Sequence, residues 1–239
     1  MTKFSLKLSI IIPVFNEKNF IEEILQRVQK VDVEMEKEII IVDDFSTDGT
    51  REILKGLDHK SIRTFFHIKN KGKGAALRTG FSQAKGDIIL IQDADLEYDP
   101  QEYPSLLAPI LDGRADAVYG SRFLGGPHRV LFFWHYTGNR FLTTLTNMLA
   151  NLNLSDMETC YKVIKTEKLN KLFLKSNRFG FEPEITIKLA RLGCRIYEVP
   201  ISYSGRDYDE GKKIGWKDGL AAIFHILRFK FFDFPRIKG

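Results

Sequence analysis

Four short runs rich in isoleucine and valine constrain this chain more than any other feature: Leu8–Val14, Glu38–Val42, Ile62–Ile68 and Asp87–Gln92. Each is followed by a helical pattern or a polar stretch. The second is continuous in Ile and Val, as a strand buried on both faces requires. After the first run, Phe20, Ile21, Ile24, Leu25, Val28 and Val31 recur on one stripe, and Asn19 with Glu22 predicts a capped helix start. Asp48–Leu57 reads as a second helix, and Gly72-Lys73-Gly74 opens a third that runs through Phe81. Strands alternating with helices predict an α/β fold, a mainly parallel sheet covered by helices on both faces. In such sheets ligands bind beyond the carboxyl ends of the strands. Acids stand there in this sequence: Asp43 and Asp44 after the second run, Asp93 and Asp95 after the fourth.

The second half is less regular. Ala115–Tyr119 reads as a strand ending in Gly120-Ser121-Arg122, Val130–Asn151 as a helix with an aromatic start, Phe181–Leu192 as a helix and Arg195–Tyr203 as a strand. Lys217–Phe232 is a helix candidate with Leu220, Ile223, Phe224, Leu227 and Phe231 on one face. With 239 residues, 44% of them hydrophobic, one domain over 1–216 followed by an amphipathic basic helix over 217–239 is the economical division. The net charge of +5, from 36 basic and 31 acidic residues, is not a nucleic-acid-binding composition. Basic residues nonetheless gather in the last third, which suits an anionic ligand or an anionic membrane surface. Two cysteines without a CxxC or Cys/His cluster predict a reduced cytoplasmic protein. Neither a signal-peptide stretch nor an apolar segment long enough to span a bilayer is expected. A peripheral position on the cytoplasmic membrane face, with self-association open, follows as the expectation.

Asp93, Asp95 and Glu97 are the candidate chemical centre. In an extended segment alternate residues point the same way, so three carboxylates can converge. They would repel one another, and Mg²⁺ or Mn²⁺, which prefers oxygen ligands, resolves the conflict. Asp43 and Asp44 can accept hydrogen bonds from a ribose or a base, whereas Asp48 reads as a helix cap. Lys71-Gly72-Lys73-Gly74 lacks the Walker spacing, so it offers backbone N–H groups without being an ATPase loop. Arg122, Arg140 and Arg206, with Lys212 and Lys213 nearby, are candidate phosphate partners. Glu182 and Glu184 could hold a helix start or act as a base. The five histidines are scattered without ligand spacing and read as structural.

Taken in order, Ile11-Ile12-Pro13-Val14-Phe15-Asn16-Glu17, Val42-Asp43-Asp44-Phe45-Ser46-Thr47-Asp48-Gly49-Thr50, Asp93-Ala94-Asp95 and Gly120-Ser121-Arg122-Phe123 resemble glycosyltransferase family 2. The resemblance is closest to the polyprenol-phosphate branch and spans roughly Leu8 to Trp216. It implies a Rossmann-like nucleotide-sugar-binding fold of the GT-A type. Pro13, Phe15 and Glu17 would border the nucleotide, with Asp44 on the base or ribose and Lys212 in a basic stretch beside the donor. Asp93 and Asp95 would hold Mg²⁺ or Mn²⁺ at the donor diphosphate, and Asp95 would also serve catalysis. Glu97, the candidate third ligand, stands where the mannose synthases of that branch usually carry Gln. Arg122, Arg140 and Arg206 would hold the acceptor phosphate. The implied reaction is inverting transfer of a hexose from a UDP- or GDP-sugar to a polyprenyl phosphate. The alternatives are a hydroxyl acceptor, with Glu182 or Glu184 as base, and a sugar nucleotidyltransferase. A receiver-like phosphoacceptor module would leave everything after Tyr119 unexplained.

Overall fold

The computed structural model describes residues 6–57, 59–130, 132–178, 180–206 and 216–233. In chain order the elements are β1 (Lys7–Val14), α1 (Ile21–Lys30), β2 (Glu36–Asp43), α2 (Thr50–Lys55), β3 (Ile62–Phe66), α3 (Lys73–Gln83) and β4 (Ile88–Ile91). A 3₁₀ turn at Pro100–Glu102 then leads into α4 (Tyr103–Leu111). The remainder comprises β5 (Ala117–Ser121), α5 (Phe133–Ala150), β6 (Lys162–Lys165), α6 (Thr166–Leu169), α7 (Phe181–Arg191), β7 (Ile196–Pro200) and α8 (Trp216–Phe231).

The strands form one sheet in the order β3-β2-β1-β4-β6-β5-β7. β1 pairs in parallel with both β2 and β4, β2 with β3, and β5 with β7. Only β6 runs antiparallel to its two neighbours, among the described strands. Consecutive residues Ile10, Ile11 and Ile12 of β1 are all fully buried, and so are Ile40, Ile41 and Val42 of β2. Since neighbours along a strand face opposite sides, both faces of the sheet are covered, as the sequence predicts. The four leading runs become β1 to β4. Most boundaries shift by one or two residues, and β3 ends at Phe66.

Three expectations need correction. The predicted Asn19/Glu22 start of α1 is not made: Phe20 precedes the helix and no side chain caps it. Here the Glu17 carbonyl accepts from the Phe20 and Ile21 N–H groups instead. β6 and α4 lie outside the predicted elements. β6 is a four-residue strand led in by a mixed polar and apolar stretch, with Lys162 fully buried inside it. α8 also has a second apolar face that the sequence reading did not name. Ala222, Ile226 and Phe229 are the buried residues, while Leu220, Phe224, Leu227 and Phe231 are exposed. The helix packs against α5 and α7 along the first set, with Ile223 of the predicted stripe partly buried against the core and its other four members outside.

Because β6 is reversed, the segment that leads into it, 155–161, lies at the same edge of the sheet as the segments that leave β1, β2, β4 and β5. That edge holds the acids.

Candidate active site

β4 ends on Ile91, and the next residues build the floor of the site. Gln92 is buried, and its side-chain oxygen accepts from the hydroxyls of Tyr103 and Tyr161, both at 2.7 Å. The Lys73 ammonium, at the start of α3, lies 2.9 Å from both oxygens of the Asp93 carboxylate. Glu182, at the start of α7, is 3.6 Å from the same ammonium. Burial opposes the charge on Lys73, but Asp93 and Glu182 more than offset it and raise its pKa.

Asp95 lies opposite. Its carboxylate accepts from Arg206 at 3.0 Å and from the Glu97 N–H at 3.2 Å. Burial, then repulsion by Asp93 and Glu97, pushes its pKa up to about 8, because Arg206 only partly compensates the crowded negative charge. The Arg206 guanidinium also meets Glu17 at 3.1 Å and Glu97 at 3.5 Å, and it stacks over Phe20 at 5.6 Å. One cation thus stands among three carboxylates contributed by the ends of β1 and β4.

The expectation that Asp93, Asp95 and Glu97 share one face is corrected by the backbone. Leu96 adopts φ +60°, a left-handed conformation that turns the chain between Asp95 and Glu97. The Glu97 carboxylate accepts instead from the Tyr203 hydroxyl at 2.8 Å and the Arg206 N–H at 2.9 Å, which ties the 203–206 segment to the site. Among the described residues, no group of three or more acids, histidines or cysteines is arranged to hold a metal ion. The fit to a divalent cation rests on the Asp93 and Asp95 pair: two oxygen donors, the second held protonated by burial and crowded negative charge that a cation would relieve.

The other predicted residues fall as follows. Pro13 is in the last turn of β1 pairing, opposite Val42; Phe15 follows it, about one-third exposed. Asp44 is buried, and its carboxylate does not stand open to a base or ribose. It accepts from Lys71 N–H and Gly72 N–H, at 2.9 and 2.6 Å, and lies 2.6 Å from the His67 Nδ1. Its structural work is to fix the loop that opens α3. His67, read as merely structural, therefore supports that loop, and its second ring nitrogen meets Thr79 at 2.9 Å. Arg122 is likewise engaged: Asp156 receives its Nε at 2.6 Å and its Nη2 at 2.8 Å, a bidentate pair roofed by Tyr203 at 5.1 Å. An arginine held this way orders the 155–161 segment rather than presenting a phosphate fork. Arg140 is exposed on α5, and no ion pair joins it to the others among the described residues. Lys212 lies outside the described residues. Glu184 is fully buried and accepts from Lys175 N–H, Ser176 N–H and the Lys188 ammonium, so it is a loop anchor.

Sequence reasoning missed Lys73, Asp156, Glu158, Cys160 and Lys162. Burial and the neighbouring Asp93 push the Cys160 thiol up. Burial, with Glu182 nearby, pushes Glu158 up to about 8, and its Oε1 has no hydrogen-bond partner among the described residues. The fully buried Lys162 donates to the carbonyls of Met157 and Thr159 and sits 4.6 Å from the Tyr119 ring, its pKa lowered by burial. The available signal was Met157-Glu158-Thr159-Cys160-Tyr161-Lys162, charged residues inside an apolar run, which only burial makes meaningful.

This geometry has a family. Residues 9–173 match the model of Glycosyl transferase family 2. The chain belongs to that family. It is 36% identical over 230 residues to a dolichol-phosphate mannosyltransferase of Pyrococcus furiosus, covering 93% of this chain and 62% of that protein. It is 30% identical over 225 residues to an undecaprenyl-phosphate mannosyltransferase of Micrococcus luteus, covering 89% of this chain and 90% of that protein. The fold matches a solved glucosyl-3-phosphoglycerate synthase from Mycobacterium tuberculosis, in complex with Mn²⁺, UDP and phosphoglyceric acid. That match has a TM-score of 0.74 at 21% identity, over 96% of this chain and 80% of that one. The protein is a glycosyltransferase of GT-A fold, as its motifs imply. No helix among the described residues is long and apolar enough to cross a membrane.

Proposed function

We propose that this glycosyltransferase moves a hexose from a UDP- or GDP-sugar to a polyprenyl phosphate, with inversion at the anomeric carbon. The observation that carries the reading is the Asp93/Asp95 pair at the carboxyl end of β4, flanked by Lys73 and Arg206. Asp93 and Asp95 would hold Mg²⁺ or Mn²⁺, which when bound would supply Lewis-acid stabilisation of the departing diphosphate. Lys73, already at Asp93, is placed to add a fixed positive charge on the diphosphate side. Pro13, Phe15 and Glu17 border the nucleotide, and Asp44 acts through the loop it holds. Arg206, with Arg140, would gather the acceptor phosphate, and Lys212 would lie beside the donor. An oxygen of that phosphate forms the new bond to the anomeric carbon as the bond to the diphosphate breaks, and the nucleoside diphosphate leaves with the electron pair.

A phosphate monoester is largely ionised at neutral pH and needs no general base. The engagement of Glu184 with its loop and of Glu182 with Lys73 supports this acceptor over a hydroxyl, as does the similarity to dolichol-phosphate and undecaprenyl-phosphate mannosyltransferases. The exposed side chains of α8 and the exposed Phe133 and Trp134 at the start of α5 would rest on the membrane face.

The test incubates the protein with a panel of labelled UDP- and GDP-sugars, a polyprenyl phosphate and Mg²⁺ or Mn²⁺. Label is expected in the lipid phase for one donor, and Asp93→Asn should lower it about a thousandfold without loss of fold. No lipid-phase label with any donor would sink the lipid acceptor, and a labelled soluble product would favour a hydroxyl acceptor.

A further inference from the structure

A cavity of about 520 Å³ lies between the loop that follows β3, the 175–178 segment before α7, and α8. None of the residues lining it is acidic. Lys69 and Lys71 enter from the first loop, Arg178 from the second segment and Arg228 from α8. Among the described residues none of these four forms an ion pair. Arg178 makes only a long hydrogen bond, 3.5 Å, to Asn70. Four exposed cations from three separate elements therefore face one cavity with no acid among its lining residues, which leaves a local positive potential there.

The wall between them is built, not incidental. Ser176 is 6% exposed, and its hydroxyl has no hydrogen-bond partner among the described residues; the same is true of His225 Nδ1. Burial, then Arg228, lowers the His225 pKa, so its imidazole is neutral at pH 7 and can donate one N–H. Gly72 and Gly74 let the two loops touch. A Cβ on either would collide with the backbone carbonyl of Asn177 or Ser176. The Glu184 carboxylate then pins the Lys175 and Ser176 N–H groups from behind.

We infer that this cavity is a binding site for a phosphate group, separate from the Asp93/Asp95 centre. Two guanidiniums and two ammoniums, with a hydroxyl and an imidazole in the wall, suit a phosphate of nearly two negative charges and several acceptor oxygens better than a singly charged carboxylate. Two sources share this chemistry: the headgroup of a phospholipid and a soluble phosphorylated metabolite. α8 bears the exposed Phe224, Leu227 and Phe231 as well as Arg228, which gives the lipid source a route to the cavity.

The experiment follows two-dimensional amide NMR of the full chain during titration with inorganic phosphate, then with glycerol 3-phosphate. In parallel, co-sedimentation is measured with phosphatidylcholine vesicles, with and without phosphatidic acid. Phosphate should shift the amides of 69–71 and 175–178 and leave those of 93–97 unmoved. Arg178→Gln and Arg228→Gln should each weaken binding about tenfold, and Lys69→Gln by less. Loss of vesicle binding in the same variants assigns the site to a headgroup. Unchanged vesicle binding with weakened glycerol 3-phosphate binding assigns it to a soluble phosphate. The inference is overturned if the double variant R178Q/R228Q binds phosphate as the wild type does. Displacement of phosphate from 69–71 by a nucleoside diphosphate would equally overturn it, by showing a single continuous site.

Discussion

At the residue scale, the Arg122–Asp156 pair illustrates how placement changes meaning. Arg122 was legible as an arginine after a strand, and an arginine there is a natural phosphate ligand. The reading could not include Asp156, because the two are far apart in sequence and meet only through the reversed β6. Their pairing is bidentate and deeply buried, with the Asp156 side chain fully inaccessible. Removing one partner of such a pair leaves the other as an uncompensated buried charge. Asp156→Ala should therefore cost about 3–5 kcal/mol in denaturant unfolding. A loss below about 1 kcal/mol would show that solvent reaches Arg122 freely. Asp93 and Asp95 were legible for the opposite reason: their position depends only on where one apolar strand stops. Glu97 was misjudged because alternation holds for extended backbone, and a single left-handed residue, Leu96, ends it.

At the scale of elements, the leading strands and helices were readable because each is a local hydrophobic pattern. β1, β2 and α1 bury an unbroken series of Ile, Leu and Val. β6 was not readable, since its burial is imposed by neighbours on both sides and includes a lysine. α8 was found, but its second apolar face, Ala222, Ile226 and Phe229, which meets the core, was not named: a helix apolar on two faces does not announce which one packs inward. Its outer face supplies a test of membrane contact. Phe224→Ser with Leu227→Ser should weaken sedimentation with anionic vesicles at least tenfold and leave Tm unchanged, since each loses about 1.5–3 kcal/mol of apolar burial only on the bilayer. The loop opening α3 gives a second test. Gly72 holds φ +96° against the Asn177 carbonyl. Gly72→Ala should cost about 1–3 kcal/mol from the backbone conformation alone, and more from the collision. A thermal melt matching the wild type would contradict this.

For the whole molecule, buried carboxyl groups set how stability responds to pH. Arg195 holds Asp116 well below the usual carboxylate range by hydrogen bonding. Its contribution is full above about pH 4, the value for an unfolded Asp, and fades as pH falls further. Glu158 acts in the other direction. Its folded pKa of about 8 stands above the ordinary 4.5, so between those values the folded chain binds a proton that the unfolded chain has lost. Stability therefore falls as pH rises through that window. Glu158→Gln should flatten this slope, raising Tm at pH 8 relative to the wild type by several degrees while changing little at pH 4.5. Equal slopes for the two proteins in melts across that range would remove Glu158 as the cause.

The reversal of β6 has a consequence for anyone remodelling the enzyme. In an all-parallel sheet the loops that can be recoded without touching the scaffold all follow strands, and the loops that precede strands lie at the opposite, inert end. Here one preceding loop, 155–161, has changed ends, bringing Cys160 beside Asp93 and Asp156 onto Arg122. A diversification library designed from strand ends alone would omit it. Residues 158 and 159 belong in such a library first. Asp156 should stay fixed, because altering it would be selected against as a folding defect before any change of substrate could be seen.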